Sequence, residues 1–97
     1  MSSLCRRLVL MRITGGADDV EAIRRVHASF AGIPGVTRAD AAQAIAVRVG
    51  DLDFTHVSLF EFIDENARQE YEIHPDHVGA GPEIRSRLEH IAVLDVM

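Results

Sequence analysis

The stretch DFTHVSLFEFI, Asp53–Ile63, decides how this chain folds. Its side chains alternate. Phe54, His56, Ser58, Phe60 and Phe62 share one face of an extended strand, and Thr55, Val57, Leu59, Glu61 and Ile63 share the other. Both faces are mostly apolar, which predicts a central strand covered on both sides. A histidine set among such residues must be hydrogen-bonded or look into a polar cavity.

Downstream, Asp64–His74 reads as a helix capped by Asp64, with Ala67, Tyr71 and His74 on one face. Pro75 disfavours helical geometry at His74, so the helix should stop or bend there. Gly79 and Gly81 are expected to relax a bend before a second short helix, Pro82–Ile91, with Pro82 in its first turn. Its stripe is Ile84, Leu88 and Ile91, and a last strand follows from about Ala92. Upstream, the aliphatic run Leu4–Thr14 reads as a strand bounded by Gly15-Gly16. The period then becomes helical over Ala17–Ile33, with Val20, Ile23, Val26, His27 and Phe30 on one stripe and Arg24 and Arg25 off it. Asp18 and Glu21 have the spacing of a capping box. Gly32 and Pro34-Gly35 end that helix. Between the helix and the central strand, Val36 to about Ile45 reads as a strand despite its alanines, and Gly50-Asp51 as the following turn.

The resulting order, β-α-β-β-α-(α)-β, is the ferredoxin-like pattern of an α+β domain. It predicts one domain over residues 1–97, with a four-stranded antiparallel sheet and helices on one face. Nothing in so short a chain remains to cover the sheet's other apolar face. The economical cover is a second copy, sheet against sheet, giving a homodimer in the form of a dimeric α/β barrel. An apolar space is then expected between sheet and helices, or between the two sheets.

Composition narrows the partners. Apolar residues make up 47% and charged residues 26%, an ordinary globular balance. The net charge is −5 with no block of Lys or Arg, which argues against a nucleic-acid partner. No apolar run approaches the roughly 20 residues that span a bilayer, so no membrane partner is expected. Arg6-Arg7 precedes a short apolar run, Leu8–Met11, but no cleavage-site pattern follows, and a cytoplasmic location is the expectation. The single cysteine, Cys5, excludes an intrachain disulfide and a cysteine-based zinc site, and reads as a small apolar filler.

The chemistry-bearing residues gather in EYEIHPDHVGAG, Glu70–Gly81. His77 follows a helix end, where it can act as a general base near neutrality or cap helix carbonyls. Tyr71, the one tyrosine, can donate to a carbonyl oxygen as charge develops there, or serve as core. His74 is read mainly as a helix-end hydrogen bonder beside the pocket, and Asp76 as a local acceptor. His56 is expected to face the pocket and help position a ligand. Phe54, Ser58 and Phe60 would line the same space with Val9 and Met11, which suits a small apolar or aromatic oxo-compound. Arg7 can grip a carboxylate through its fork or sit as a solvated strand end. His27 reads as satisfied core and His90 as surface. Three histidines, His56, His74 and His77, have the makings of an open metal site, but the intervening proline and the absence of a supporting carboxylate count against it, so no metal is expected. The glycine pairs lack the lysine and spacing of a phosphate loop, and no cofactor is expected.

DFTHVSLFEF followed by EYEIHPDHVGAG resembles the stress-responsive dimeric α/β barrel (Dabb) family, and the likeness runs from LVLMRI to AVLDV. The segment Ile73–Asp95 is further similar to the olivetolic acid cyclases of plants, members of that family that close a linear polyketide without a cofactor. The resemblance implies that Tyr71 and His77 are the catalytic pair and His56 a pocket histidine. Arg7 stands where those cyclases carry a pocket histidine, and Arg38–Asp53 matches poorly, which implies a different ligand. The functional expectation is a cofactor-free lyase or cyclase acting on a polyketide-like or aromatic oxo-compound. The alternatives are a non-catalytic stress-response or ligand-binding protein and, on fold analogy alone, a cofactor-independent monooxygenase.

Overall fold

The central strand is β3, His56–Phe62, and it has neighbours on both edges. The computed structural model describes residues 4–45 and 53–97. In chain order the elements are β1 (Cys5–Arg12), α1 (Ala17–Ser29) with a 3₁₀ turn over Phe30–Gly32, β2 (Val36–Ala44), β3, α2 (Glu65–Ile73), α3 (Pro75–Arg85) and β4 (His90–Val96). The four strands form one sheet in the order β2-β3-β1-β4, antiparallel throughout. This is the ferredoxin-like α+β arrangement, with the helices on one face. The expected turn at Gly50-Asp51 lies outside the described residues.

Alternation sets the two faces. Cys5, Arg7, Val9 and Met11 of β1 are buried beneath the helices, as are Ser58, Phe60 and Phe62 of β3. The core between sheet and helices is built on Met11, Ile23, Phe30, Phe60, Phe62 and Tyr71. On the opposite face Leu8 pairs with Leu59 on one side and Leu94 on the other, and Leu10 pairs with Val57 and Ala92. Leu8, Leu10, Val57 and Leu59 are half-buried and Leu94 is exposed, so the expectation of cover on both sides of β3 fails within one chain. All the helices went to one face, which leaves an apolar sheet surface flanked by the Arg6–Glu61 and Arg38–Asp40 ion pairs.

β2 forms despite its alanines because β3 supplies its hydrogen bonds, and tertiary pairing outweighs a weak local preference. It is irregular. The register shifts between Asp40 and Gln43, and Ala42 adopts a φ of 46° there.

α2 starts as expected, with the Ala67 N–H donating to Asp64 Oδ1 at 2.8 Å, and ends before His74, whose extended backbone fits its position ahead of proline. The next helix departs from expectation. It begins at Pro75 instead of Pro82, so Gly79, Gly81 and Pro82 lie inside it. Pro75 suits the first helical position, and the His74 imidazole accepts from the Asp76 N–H at 3.1 Å, a capping role that Ser or Asp more often fills. The Asp18–Glu21 capping box is not formed. Gly16 is the N-cap of α1, with a φ of 93° and no side-chain cap.

Candidate functional site

A cavity of about 320 Å³ opens between the sheet and the helices. Its floor is Arg7 and Val9 of β1 with Ile91 and Val93 of β4, its back wall His27 and Phe30, and its roof Tyr71 of α2 and His77 of α3. Because α2 stops at His74 and α3 starts at once, His77 is brought back against the last turn of α2. Its ring centre lies 4.4 Å from that of Tyr71 and 5.6 Å from that of Phe30.

The protonation of each group follows from its partners. His77 Nδ1 lies 3.1 Å from the backbone carbonyl of Glu72. A carbonyl only accepts, so in the neutral ring Nδ1 carries the proton and Nε2 is left with its lone pair. Among the described residues Nε2 has no protein partner and is not a buried orphan. The Tyr71 side chain is 2% exposed, yet its hydroxyl has no protein partner among the described residues and is not a buried orphan either, so that exposure includes the hydroxyl. Burial pushes the phenol well above its ordinary pKa, against the opposing pull of Arg7, and keeps it a donor.

Arg7 is buried, not the solvated strand end that was one reading of it. Its Nε donates to Asp95 Oδ1 at 2.8 Å and its Nη2 to Asp95 Oδ2 at 3.1 Å, and Nη2 also pairs with Glu72. Burial alone would lower its pKa, but the hydrogen bonds to Asp95 and Glu72 outweigh that and raise it. The guanidinium carbon sits 5.7 Å from the Tyr71 ring centre. The Nε–Nη2 edge of the fork is therefore taken by the protein's own carboxylates, while Nη1 has no hydrogen-bond partner among the described residues and is not a buried orphan.

Of the ten residues singled out in the sequence, the structure gathers Tyr71, His77, Arg7 and Val9 at the cavity and sets six apart from its lining. Met11, Phe54, Ser58 and Phe60 are buried, and the central strand lies behind the core and off the wall. His56 is half-exposed, its Nδ1 2.8 Å from Thr55 Oγ1, with a pKa lowered by burial and then by Arg24. His74 caps α3. The space is also less apolar than expected, since Glu72 and Arg85 join Arg7 in lining it. Sequence reading missed His27, Glu72, Arg85, Ile91 and Val93 as lining. For His27 the signal was present, because it shares a helical stripe with Phe30.

His27 is buried, with Nδ1 2.6 Å from Ser58 Oγ. Burial, and then the neighbouring His77, pull its pKa down to about 4. Among the described residues no group of three or more His, Cys, Asp or Glu is placed to hold a metal ion. No described helix is long and apolar enough to cross a membrane.

The family model described as the stress responsive A/B barrel domain matches residues 5–97. No curated protein matches the chain. Several solved structures share the fold. A dimeric ferredoxin-like protein of unknown function from Thermobifida fusca is 19% identical, with a TM-score of 0.76 over 99% of this chain and 92% of that one. The cofactor-independent oxygenase SnoaB from Streptomyces nogalater is 18% identical, with a TM-score of 0.74 over 99% and 93%. The hydroxynitrile lyase of Passiflora edulis is 18% identical, with a TM-score of 0.79 over 99% and 94%. At such identities the likeness carries the fold and not the chemistry.

Proposed function

We propose that this chain, which belongs to the stress-responsive A/B barrel domain family, is a cofactor-free lyase or cyclase acting on a small oxo-compound of polyketide-like or aromatic type. His77 Nε2 removes a proton alpha to the substrate carbonyl. The Tyr71 hydroxyl donates to the oxygen as negative charge develops on it. The protonated imidazole then returns its proton to carbon, or to a leaving hydroxyl. The observation that carries this reading is the pairing of an imidazole and a phenol whose ring centres lie 4.4 Å apart on one cavity wall, each with its reactive atom unclaimed among the described residues. The likeness of Ile73–Asp95 to the olivetolic acid cyclases points the same way.

The protein works as a homodimer in this proposal. Its uncovered sheet face is apolar at the centre and charged at the rim, as a self-complementary interface requires. The Thermobifida fusca relative is dimeric.

A test needs no knowledge of the natural substrate. A panel of β-diketones and aryl β-ketones is incubated with the protein in heavy water, and deuterium uptake alpha to the carbonyl is followed. Uptake should be catalysed by the wild type and lost in His77→Ala, with the dimer intact. Undiminished exchange in that variant sinks the reading. A second reading, a non-catalytic ligand-binding protein, draws on the bond between His77 Nδ1 and the Glu72 carbonyl, which ties α3 to α2. On that reading His77→Ala lowers the melting temperature and no compound exchanges.

A further inference from the structure

One hydrogen-bonded chain leads from the sheet edge to the cavity and is not used by the chemistry above. The bulge between Asp40 and Gln43 takes Ala42 out of the β2–β3 ladder, at a φ of 46° that non-glycine residues seldom adopt. Its freed N–H donates to Ser58 Oγ at 2.8 Å. Ser58 is fully buried, and its hydroxyl proton has one acceptor among the described residues, His27 Nδ1 at 2.6 Å. A serine oxygen that already accepts from an amide gives its own proton to the imidazole, so the His27 proton sits on Nε2. Nε2 has no protein partner among the described residues, is not a buried orphan, and belongs to a ring that lines the cavity. Phe30 and Phe60, with ring centres 5.6 and 5.3 Å away, hold the ring in place.

We propose that His27 is a second hydrogen-bond donor to the substrate oxygen, locked in its Nε2–H tautomer by Ser58 and, through Ser58, by the bulge at Ala42. The inference rests on the reading of the cavity as an acid–base site and narrows its substrate. Two neutral donors, Tyr71 O–H and His27 Nε2–H, suit a single oxygen that takes two hydrogen bonds, a ketone becoming an enolate or a phenolate. The two imidazoles have complementary states, one offering a proton and the other a lone pair, and they do not bond each other. Ser58 and Ala42 are positioning residues that act through His27.

Long-range proton–nitrogen NMR of the full chain with labelled histidine tests the inference, alone and with 4-nitrophenol at a pH where the probe is ionised. The wild-type spectrum is expected to show neutral His27 protonated on Nε2, with that signal displaced by the phenolate. Ser58→Ala should release the tautomer and weaken phenolate binding about tenfold, the worth of one donor to a charged oxygen, while Ser58→Thr restores both. A His27 proton found on Nδ1 overturns the inference, and the wild-type spectrum decides this without any variant. Phenolate binding that depends on Tyr71 but leaves His27 unmoved also overturns it, and the proposed function stands. Displacement of His27 by a phenolate whose affinity ignores Tyr71→Phe instead removes the proposed function.

Discussion

The rings of Tyr71 and His77 lie 4.4 Å apart, centre to centre, with their planes tilted by 38°. The tyrosine is held on its other sides by Phe62, Phe30 and Phe60, at 5.0, 5.8 and 6.0 Å between ring centres. Packing thus fixes the phenol ring, and the hydroxyl contributes little to the fold. Tyr71→Phe should leave the melting temperature almost unchanged, because no partner among the described residues is orphaned. Exchange or turnover should fall by about 10²–10³, the usual loss for one oxyanion donor. A large fall in stability with turnover intact would reverse the roles assigned to this side chain.

The Arg7 guanidinium is shared by Asp95 and Glu72, and Arg68 stands 3.7 and 3.8 Å from the same carboxylates. Arg7→Met leaves those carboxylates with Arg68 as their nearest cation and should destabilise the protein by about 3 kcal/mol. Adding Asp95→Leu should recover part of the loss. A denaturant double-mutant cycle measures the coupling, and a value near zero would mean that the network is ornamental.

Acid should weaken the fold through His27. Unfolded, this histidine protonates near 6.5, and folded it resists until about 4. Between those values the unfolded chain binds the extra proton, so stability falls as pH drops through that window and levels off below it. The loss attributable to His27 is roughly 3 kcal/mol. In urea titrations across this range His27→Gln should show a flatter acid limb than the wild type. Parallel limbs would place the titrating group elsewhere.

Gly35 adopts a φ of 88°, and a Cβ built there would meet the Ala67 Cβ at 2.6 Å. Gly35→Ala therefore combines a strained backbone with an overlap between the β2 entry and α2. A loss of about 2–3 kcal/mol is expected by thermal melting. Ala67→Gly in the same chain should relieve the overlap but not the backbone strain, so recovery is partial. Full recovery would show that the positive φ costs nothing here.

Leu59 sits at the centre of the uncovered sheet face, paired with Leu8. Leu59→Lys should shift the protein from dimer to monomer in sedimentation while the far-ultraviolet circular dichroism stays native. A monomeric wild type, or a dimer indifferent to this charge, would remove the homodimer from the proposal.

The sheet and α1 were legible because alternation and helical period are properties of neighbouring residues. DFTHVSLFEFI could only be a central strand, Asp64 announced its helix, and the order of elements named the topology. The start of α3 was not legible, since a histidine cap and two internal glycines imitate a loop. The site was half legible. The pairing of Tyr71 with His77 follows from where a proline breaks a helix, a local fact. The floor of the cavity does not, because it depends on which strand lies next to β1. Neighbours in sequence put Phe54, Ser58 and Phe60 beside the site. The strand order instead gave the floor to β1 and β4, and β3 to the core behind it. Sequence by itself determined which side chains share a face. Only the tertiary structure decided which faces meet and which proton each imidazole keeps, because a tautomer is set by partners such as Ser58 and the Glu72 carbonyl that chain packing brings within 3.1 Å.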